Sequence, residues 1–465
     1  MTEHEEPDYN AIGAATDEEY YRTLEGKALR HEGEILPNAN ENFFAAGTSA
    51  AHRYGVLYQG EFETPSDGTA QAVRLHASAL AATGVPLILR SFSGVVVNAQ
   101  GVAEPVHVAG MPPEVETEVG HLLLTDIAEF RPVIKHVVIR SAEHCRQLLM
   151  PRGAIPLDAD NIVEQMAMRD GIYSNTIVYS VWERDRIDPG IVQHLARVKQ
   201  CWVPCSHNQR MLVASGVPEN NVHVVPHPYR DDDLIHVCTK RPAAYHKGWR
   251  RFYSIGRWEP RKGFGNLISA FLTAFKPEDK VSLTIKYSGT GQWPGYEKPQ
   301  DLEMLAAFSG AADNDWTYDS LRERVTILDG RLKRSMIVKL HHENNIYVSA
   351  SHGEAWGIPA FEAKLAGNAL VYVPYGGIAD FATDNDIAVP YQLGPVDPSY
   401  RWEHGSQWAA YEQSALVEGL RRAQVPEIFE RPASFEKRFS MAAVGAQMRE
   451  LVQAALPPEA RHQAG

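Results

Sequence analysis

Hydrophobic positions along the chain fall into two repeating rhythms. From Tyr54 the apolar run YGVLYQG passes through a Gly/Pro/Ser/Asp turn into GTAQAVRLHASALAATG, apolar at helical spacing, and then into VPLILRS. Short apolar runs bounded by turn residues read as strands and the longer 3.6-residue periodicity as a helix, so the order is strand, helix, strand. The order recurs in KHVVIRSA, in NTIVYSVWE followed by GIVQHLARVKQ, and in CWVPCS followed by HNQRMLVASG and VHVVPHP. A second series predicts strands at RRFYSIGR, VSLTIKY, RVTIL, NIYVSAS, NALVYVP and IAVPY, then two helical stretches, SQWAAYEQSALVEGLRRA and SMAAVGAQMRELVQAAL. Strands separated by helices imply parallel sheets covered on both faces, with functional loops at the carboxyl ends of the strands.

The expected fold is therefore α/β: two Rossmann-like doubly wound domains facing one another across a cleft. Residues 1–50 are expected to form an N-terminal extension with one amphipathic helix candidate, DEEYYRTLEGKALR. Residues 51–235 then make the first domain, 236–248 a linker, 249–430 the second domain, and 431–465 a helix crossing back to the first.

Composition narrows the partners. The 465 residues suffice for two large domains, and the hydrophobic fraction of 44% supports packed cores. Lys+Arg of 45 against Asp+Glu of 58 gives a net charge of −13, which opposes nonspecific binding to nucleic acid. No apolar run approaches the roughly 20 residues of a bilayer span, and the start MTEHEEPDYN lacks the features of a signal peptide, so a cytoplasmic location is expected. Cys145, Cys201, Cys205 and Cys238 are expected as thiols. The Cys201–Cys205 spacing suits one helical turn, but no second pair completes a tetrahedral set, so no metal is assigned.

Two segments carry candidate chemistry. In IGRWEPRKGFGNLISAFLTAF the spacing of Phe264, Leu267, Ile268 and Phe271 starts a helix near Gly263, which puts Arg257 and Lys262 on the loop ahead of its N-terminus. Arg grips two oxygens while Lys acts as a mobile point charge, and both sit beside free backbone amides; the group suits a diphosphate without a metal. The rival Gly289-x-Gly291-x-x-x-Gly295 has the wrong spacing for a dinucleotide fingerprint and is interrupted by Trp293 and Pro294. In SASHGEAWGIPAFEAKLAGNALVYVPYGGIADF a strand ends near Ser351, Pro359 suits a first helical turn and Gly367 a stop. Carboxylates only accept hydrogen bonds, so Glu354 and Glu362 are suited to the hydroxyl groups of one extended ligand, with the amides of Trp356, Gly357 and Ile358 between them. A hexose and a ribose flanking a diphosphate would fit that pattern.

The last segment resembles the E-x7-E signature of the retaining glycosyltransferases of family 4, which have the GT-B fold. The GR-x4-KG stretch from Gly256 to Gly263 is similar to that family's phosphate-binding segment, CWVPCSHNQRMLVASGVPENNVHVVPHP to its interdomain stretch, and YGGIADF to its glycine turn. The resemblance covers roughly residues 54–455 and is weaker before residue 170. It implies that Arg257 and Lys262 bind the donor diphosphate, Glu362 the ribose, Glu354 the transferred sugar, the loop Gly330, Arg331 and Leu332 the base, and that Gly68 and Thr69 bring amides from the first domain. The sequence departs from the family at Trp182, where a His followed by an acidic residue is common; Trp has no catalytic proton to give or take, leaving Glu183, Asp185 and Arg186 as the nearest polar side chains.

The resulting expectation is transfer of a hexosyl unit, with retention, from a nucleoside-diphosphate sugar to a small-molecule or glycan acceptor, with no added cofactor. A sugar-nucleotide epimerase on the same architecture and a non-catalytic nucleotide-sugar binder stand as alternatives.

Overall fold

The computed structural model describes residues 52–62, 68–91, 95–97, 103–105, 113–123, 127–139, 141–149, 171–230, 241–242, 247–288, 314–398 and 405–456. The helix expected in DEEYYRTLEGKALR, the segment Gly289 to Gly295 and Cys238 lie outside them. The chain divides into two compact units. An N-terminal unit holds the described residues of Leu36–Asp231, Glu354–Trp356 and Ala433–Gly465; a C-terminal unit holds those of Asp232–Gly353 and Gly357–Pro432.

The N-terminal unit is built on six parallel strands: β1 (His52–Gly60), β2 (Leu87–Arg90), β3 (Ile127–His136), β4 (Thr176–Tyr179), β5 (Gln200–Val203) and β6 (Val222–Val224), in the order β2-β1-β3-β4-β5-β6. Helix α1 (Gly68–Ala81) covers one face, and the chain's last described helix, α9 (Met441–Ala455), lies along it. The two helices pack closely because Gly445 has no side chain: a Cβ there would sit 2.3 Å from the Ala79 carbonyl oxygen. Gln447 donates to the Val224 carbonyl (2.7 Å) and Gln200 to that of Leu451 (3.1 Å), fastening α9 to the sheet end as well. The opposite face is covered by α2 (Ala142–Leu149), α3 (Pro189–Leu195) and α4 (Ser206–Ala214).

Strand β3 departs from expectation. The apolar run KHVVIRSA predicts a strand from about Lys135, whereas the strand starts at Ile127 and ends at His136. Its extent is set by pairing with β1, from His52 opposite Ile127 to Gly60 opposite His136, and not by its own apolar run. Cys201 lies within β5 and Cys205 caps α4, so they do not share a helical turn; with Cys145 they are buried thiols.

The C-terminal unit repeats the plan with β7 (Arg250–Arg257), β8 (Val281–Ser288), β9 (Val325–Leu328), β10 (Ile346–Ser349), β11 (Ala369–Tyr372) and β12 (Ile387–Ala388). Their order is β9-β8-β7-β10-β11-β12, all parallel, so chain order reverses between β7 and β10, the place where doubly wound sheets open a crevice for ligands. Helix α5 (Phe264–Ala274) buries Phe264, Leu267, Ile268 and Phe271 in this unit's core, as its spacing predicts. The run SQWAAYEQSALVEGLRRA is not helical throughout. Gln407–Ala410 forms β14, antiparallel to β13 (Gln392–Pro395), and only from Gln413 does α8 (Gln413–Arg422) begin. Pairing with β13 and burial of Trp408 override the local helical pattern. Within the expected linker, Arg241–Pro242 pairs with Ile428–Phe429.

Candidate active site at the carboxyl ends of the C-terminal strands

Strand β7 delivers Arg257, exposed, at its carboxyl end, and a 3-10 turn, Pro260–Lys262, leads to α5. Gly263 joins turn and helix at φ 63°, and a Cβ there would stand 2.3 Å from the Ala350 carbonyl oxygen and 2.7 Å from the Tyr411 hydroxyl, so only glycine fits. Gly256 has a second use. A Cβ on it would press on the Phe264 ring at 3.2 Å and would only touch the Lys262 stem, at 3.4 Å from Cδ. Arg261 is buried; it donates to the Gly353 carbonyl (2.6 Å) and pairs with Glu259 (2.5 Å), while its own carbonyl accepts from His352 N (2.7 Å) and Ser351 Oγ (3.1 Å). The loops after β7 and β10, on either side of the switch point, are thereby bound into one surface. Sequence reasoning missed Arg261, although its place in the run Glu259-Pro-Arg-Lys262 marked the segment as charged.

The second segment folds as its punctuation predicts. Gly357 takes φ 85° ahead of α7 (Ile358–Leu365), Pro359 occupies the first turn, and the chain leaves through Gly367 at φ 78°. Glu362 is buried on α7. Arg334, at the start of α6 (Arg334–Glu343), donates from Nη1 to Glu362 Oε1 at 2.6 Å, and His341 on α6 lies with Nε2 3.3 Å from Oε2. Burial pushes the Glu362 pKa up, but Arg334 and His341 outweigh it and bring it down to about 2, so the carboxylate is ionised and can only accept. Burial holds His341 below its ordinary value despite Glu362. Its Nδ1 faces the Tyr253 hydroxyl at 2.7 Å. Arg334, His341, Tyr253 and Asn368 were not foreseen; Arg334 and His341 are seven apart on one helix, which was the available signal.

The loop Gly330, Arg331 and Leu332 is half-buried between β9 and α6 and runs directly into Arg334. Arg257, Lys262, Gly330, Arg331, Leu332, Gly357, Ile358 and Glu362 all belong to the C-terminal unit. Glu354 and Trp356 group with the N-terminal unit instead. Both are buried; the Trp356 ring lies 5.7 Å from that of His227 and 5.5 Å from that of Phe439.

In the N-terminal unit Gly68 and Thr69 open α1, exposed and half-buried respectively. Trp182 is buried in an apolar cluster with Ile139, Ile187 and Met211, and Asn208 brackets its backbone, accepting from its N–H (3.1 Å) and donating to its carbonyl (2.7 Å). The indole is thus a core residue. Glu183 is half-buried beside it, and Asp185 pairs with the exposed Arg186 at 2.9 Å. A group that sequence reasoning passed over lies in this unit's core: His76, His136 and His227, with ring centroids of 5.3 Å between His76 and His136 and 5.0 Å between His76 and His227. Burial lowers all three pKa values, His76 to about 4, and His76 further depresses both of the others. Among the described residues no cluster of three or more His, Cys, Asp or Glu could hold a metal, and no helix is long and apolar enough to cross a membrane.

Solved structures share this architecture across nearly their whole length. HepE of Anabaena in complex with UDP superposes with a TM-score of 0.50 at 12% identity, covering 86% of this chain and all of that one. A glycosyltransferase of Rickettsia africae gives 0.51 at 11% identity over 87% and 99% of the two chains, and the trehalose 6-phosphate synthase of Burkholderia multivorans 0.51 at 11% over 87% and 98%. The fold is GT-B. Its two parallel six-stranded sheets are the β1–β6 and β7–β12 sheets described above. No family model matches this GT-B chain. Glycogen synthase of Mycobacterium tuberculosis is 27% identical over 139 residues, and the match spans 29% of this chain and 28% of that protein's length.

Proposed function

We propose that the protein is a retaining glycosyltransferase of family 4 type, moving a hexosyl unit from a nucleoside-diphosphate sugar to a hydroxyl of a small-molecule or glycan acceptor. The observation that carries this reading is that one unit holds, on the loops and helix following the strands at its switch point, both the Arg257–Lys262 corner and a carboxylate, Glu362, that Arg334 and His341 keep ionised. In this reading Arg257 and Lys262 take the diphosphate and the amides of Trp356, Gly357 and Ile358 serve as further donors; Glu362 takes the ribose, Gly330 to Leu332 the base, and Glu354 the transferred sugar. Gly68 and Thr69 add amides. Charge grows on the departing diphosphate, and fixed cations and amide dipoles stabilise it without reorganisation, so no metal or added cofactor is required. The leaving phosphate takes the acceptor proton, which dispenses with a separate base. The fold shared with HepE, solved with UDP, and the partial identity to glycogen synthase support a nucleotide-sugar donor.

Burial of Trp182 favours a second reading, a nucleotide-sugar binder without turnover. The two part in one experiment. UDP-, ADP- and GDP-hexoses are supplied with a panel of hydroxyl acceptors, and product anomers are followed by NMR. An α-linked donor giving an α-linked product supports the transferase, and Glu354→Ala and Lys262→Ala should each remove most of the transfer while remaining folded. Donor binding with no transfer to any acceptor would favour the binder, and altered sugar without acceptor an epimerase.

A further inference from the structure

Behind Glu362 stands a chain of polar side chains in the middle of an apolar core. Asn368, Tyr253 and His341 are each fully buried and come from three places: the turn before β11, strand β7 and helix α6. Asn368 Nδ2 lies 2.7 Å from the Tyr253 hydroxyl and 2.8 Å from the His341 carbonyl oxygen; the hydroxyl lies 2.7 Å from His341 Nδ1, and His341 Nε2 lies 3.3 Å from Glu362 Oε2.

The directions of these bonds come from chemistry. An ionised carboxylate cannot donate, so His341 presents N–H at Nε2. A neutral imidazole then has an acceptor at Nδ1, which the Tyr253 O–H fills, and the tyrosine oxygen in turn accepts from the Asn368 amide. Each member has one arrangement consistent with its neighbours. A buried polar network that is fully satisfied rigidifies the groups it joins. We propose that Asn368, Tyr253 and His341 form a one-directional relay that fixes the Glu362 carboxylate for the ribose diol of the donor, so that these positioning residues set the discrimination between ribonucleotide and deoxyribonucleotide.

The inference rests on the reading of Glu362 as the ribose acceptor. Arg334 reaches Oε1 and His341 reaches Oε2, so a donor on each oxygen fixes the plane in which the carboxylate lies. Arg334 has a side chain 35% exposed and holds Oε1 from the rim, whereas the relay holds Oε2 from beneath. The low Glu362 pKa agrees with a group that accepts at any working pH.

The test uses the full chain, wild type and the folded variants Tyr253→Phe, His341→Leu and His341→Gln, the last restoring a donor and an acceptor. Calorimetry measures binding of whichever of UDP, ADP and GDP raises the melting temperature most, against its 2′-deoxy and 3′-deoxy forms. Wild type should prefer the ribose form roughly tenfold, the size of one hydrogen bond to a charged group. Tyr253→Phe and His341→Leu should bring that preference to within about twofold by weakening only the ribose form, and His341→Gln should recover part of it. A preference that survives in Tyr253→Phe or His341→Leu, or an equal loss for ribose and deoxy forms, overturns the relay while leaving the donor site standing. Wild-type protein that binds none of the three nucleotides overturns the donor-site reading itself, and the relay with it.

Discussion

Each six-stranded sheet carries, on its first strand, a buried tyrosine joined to a buried histidine, and the two pairs are used differently. In the N-terminal unit Tyr58 on β1 meets His136 Nδ1 at 2.8 Å; in the C-terminal unit Tyr253 on β7 meets His341 Nδ1 at 2.7 Å. The next neighbour of each histidine makes the difference. His341 continues to a carboxylate, so the pair ends in a fixed anion at the sheet's switch point. His136 continues to His76 and, through it, to His227, with Tyr58 and Tyr179 packed on the same group, so the pair ends among imidazoles that must stay neutral. One geometry therefore serves to hold a charge in one unit and to exclude charge in the other.

The largest expected consequence is a difference in acid sensitivity. The folded pKa values of His76, His136 and His227 are all depressed below 6.5, so below that value the unfolded chain binds more protons, for His76 down to about 4. Their contribution is complete above pH 6.5 and is lost as pH falls below it, for His76 through about 4. For His76 alone the shift from 6.5 to about 4 corresponds to about 3 kcal/mol. Glu362, depressed from 4.5 to about 2, keeps its contribution down to pH 4.5 and loses it only below. Burial lowers His341 on α6 as well, but there Glu362 opposes the shift, so hydrogen exchange resolved by peptide and corrected for intrinsic rate should show α1, β3 and β4 opening more than α6 and α7 between pH 7 and 5. Simultaneous opening would erase the contrast.

Removing the carboxylate itself comes next. Glu362→Ala strands the donors of Arg334 and His341 and should cost about 3 kcal/mol in urea unfolding, the lower end for a broken buried pair because Arg334 is partly exposed. Gly263→Ala should cost roughly 2 kcal/mol, since alanine is strained at φ 63° and its Cβ would strike the Ala350 carbonyl; it should also weaken nucleotide binding by displacing Lys262. The smallest effect separates the pairs most sharply. Tyr58→Phe and Tyr253→Phe should each cost about 1 kcal/mol of stability, yet only the second should alter nucleotide binding.

Much of the fold was legible because parallel strands buried on both faces write themselves as apolar runs. The turn at Gly263 and the start of α7 were legible because glycine and proline mark backbone conformations that other residues avoid. Strand β14 was not, since Trp408 and Ala409 also suit a helical reading and only pairing with β13 decides between them. Nor was the relay: Tyr253, His341, Glu362 and Asn368 meet only after β7 has paired with β10 and β10 with β11. Trp182 shows the opposite case. Its chemistry was legible as a departure from the resembled family, but its place in the apolar cluster of α3 and α4 depends on packing that no local pattern records.

A crystal structure of the chain with its tightest-binding nucleoside diphosphate tests whether one donor site lies at the carboxyl ends of β7 and β10. The expected result is a diphosphate held by Arg257 and Lys262 with its ribose hydroxyls on Glu362. A nucleotide bound elsewhere, or one whose ribose leaves Glu362 untouched, would rule that site out.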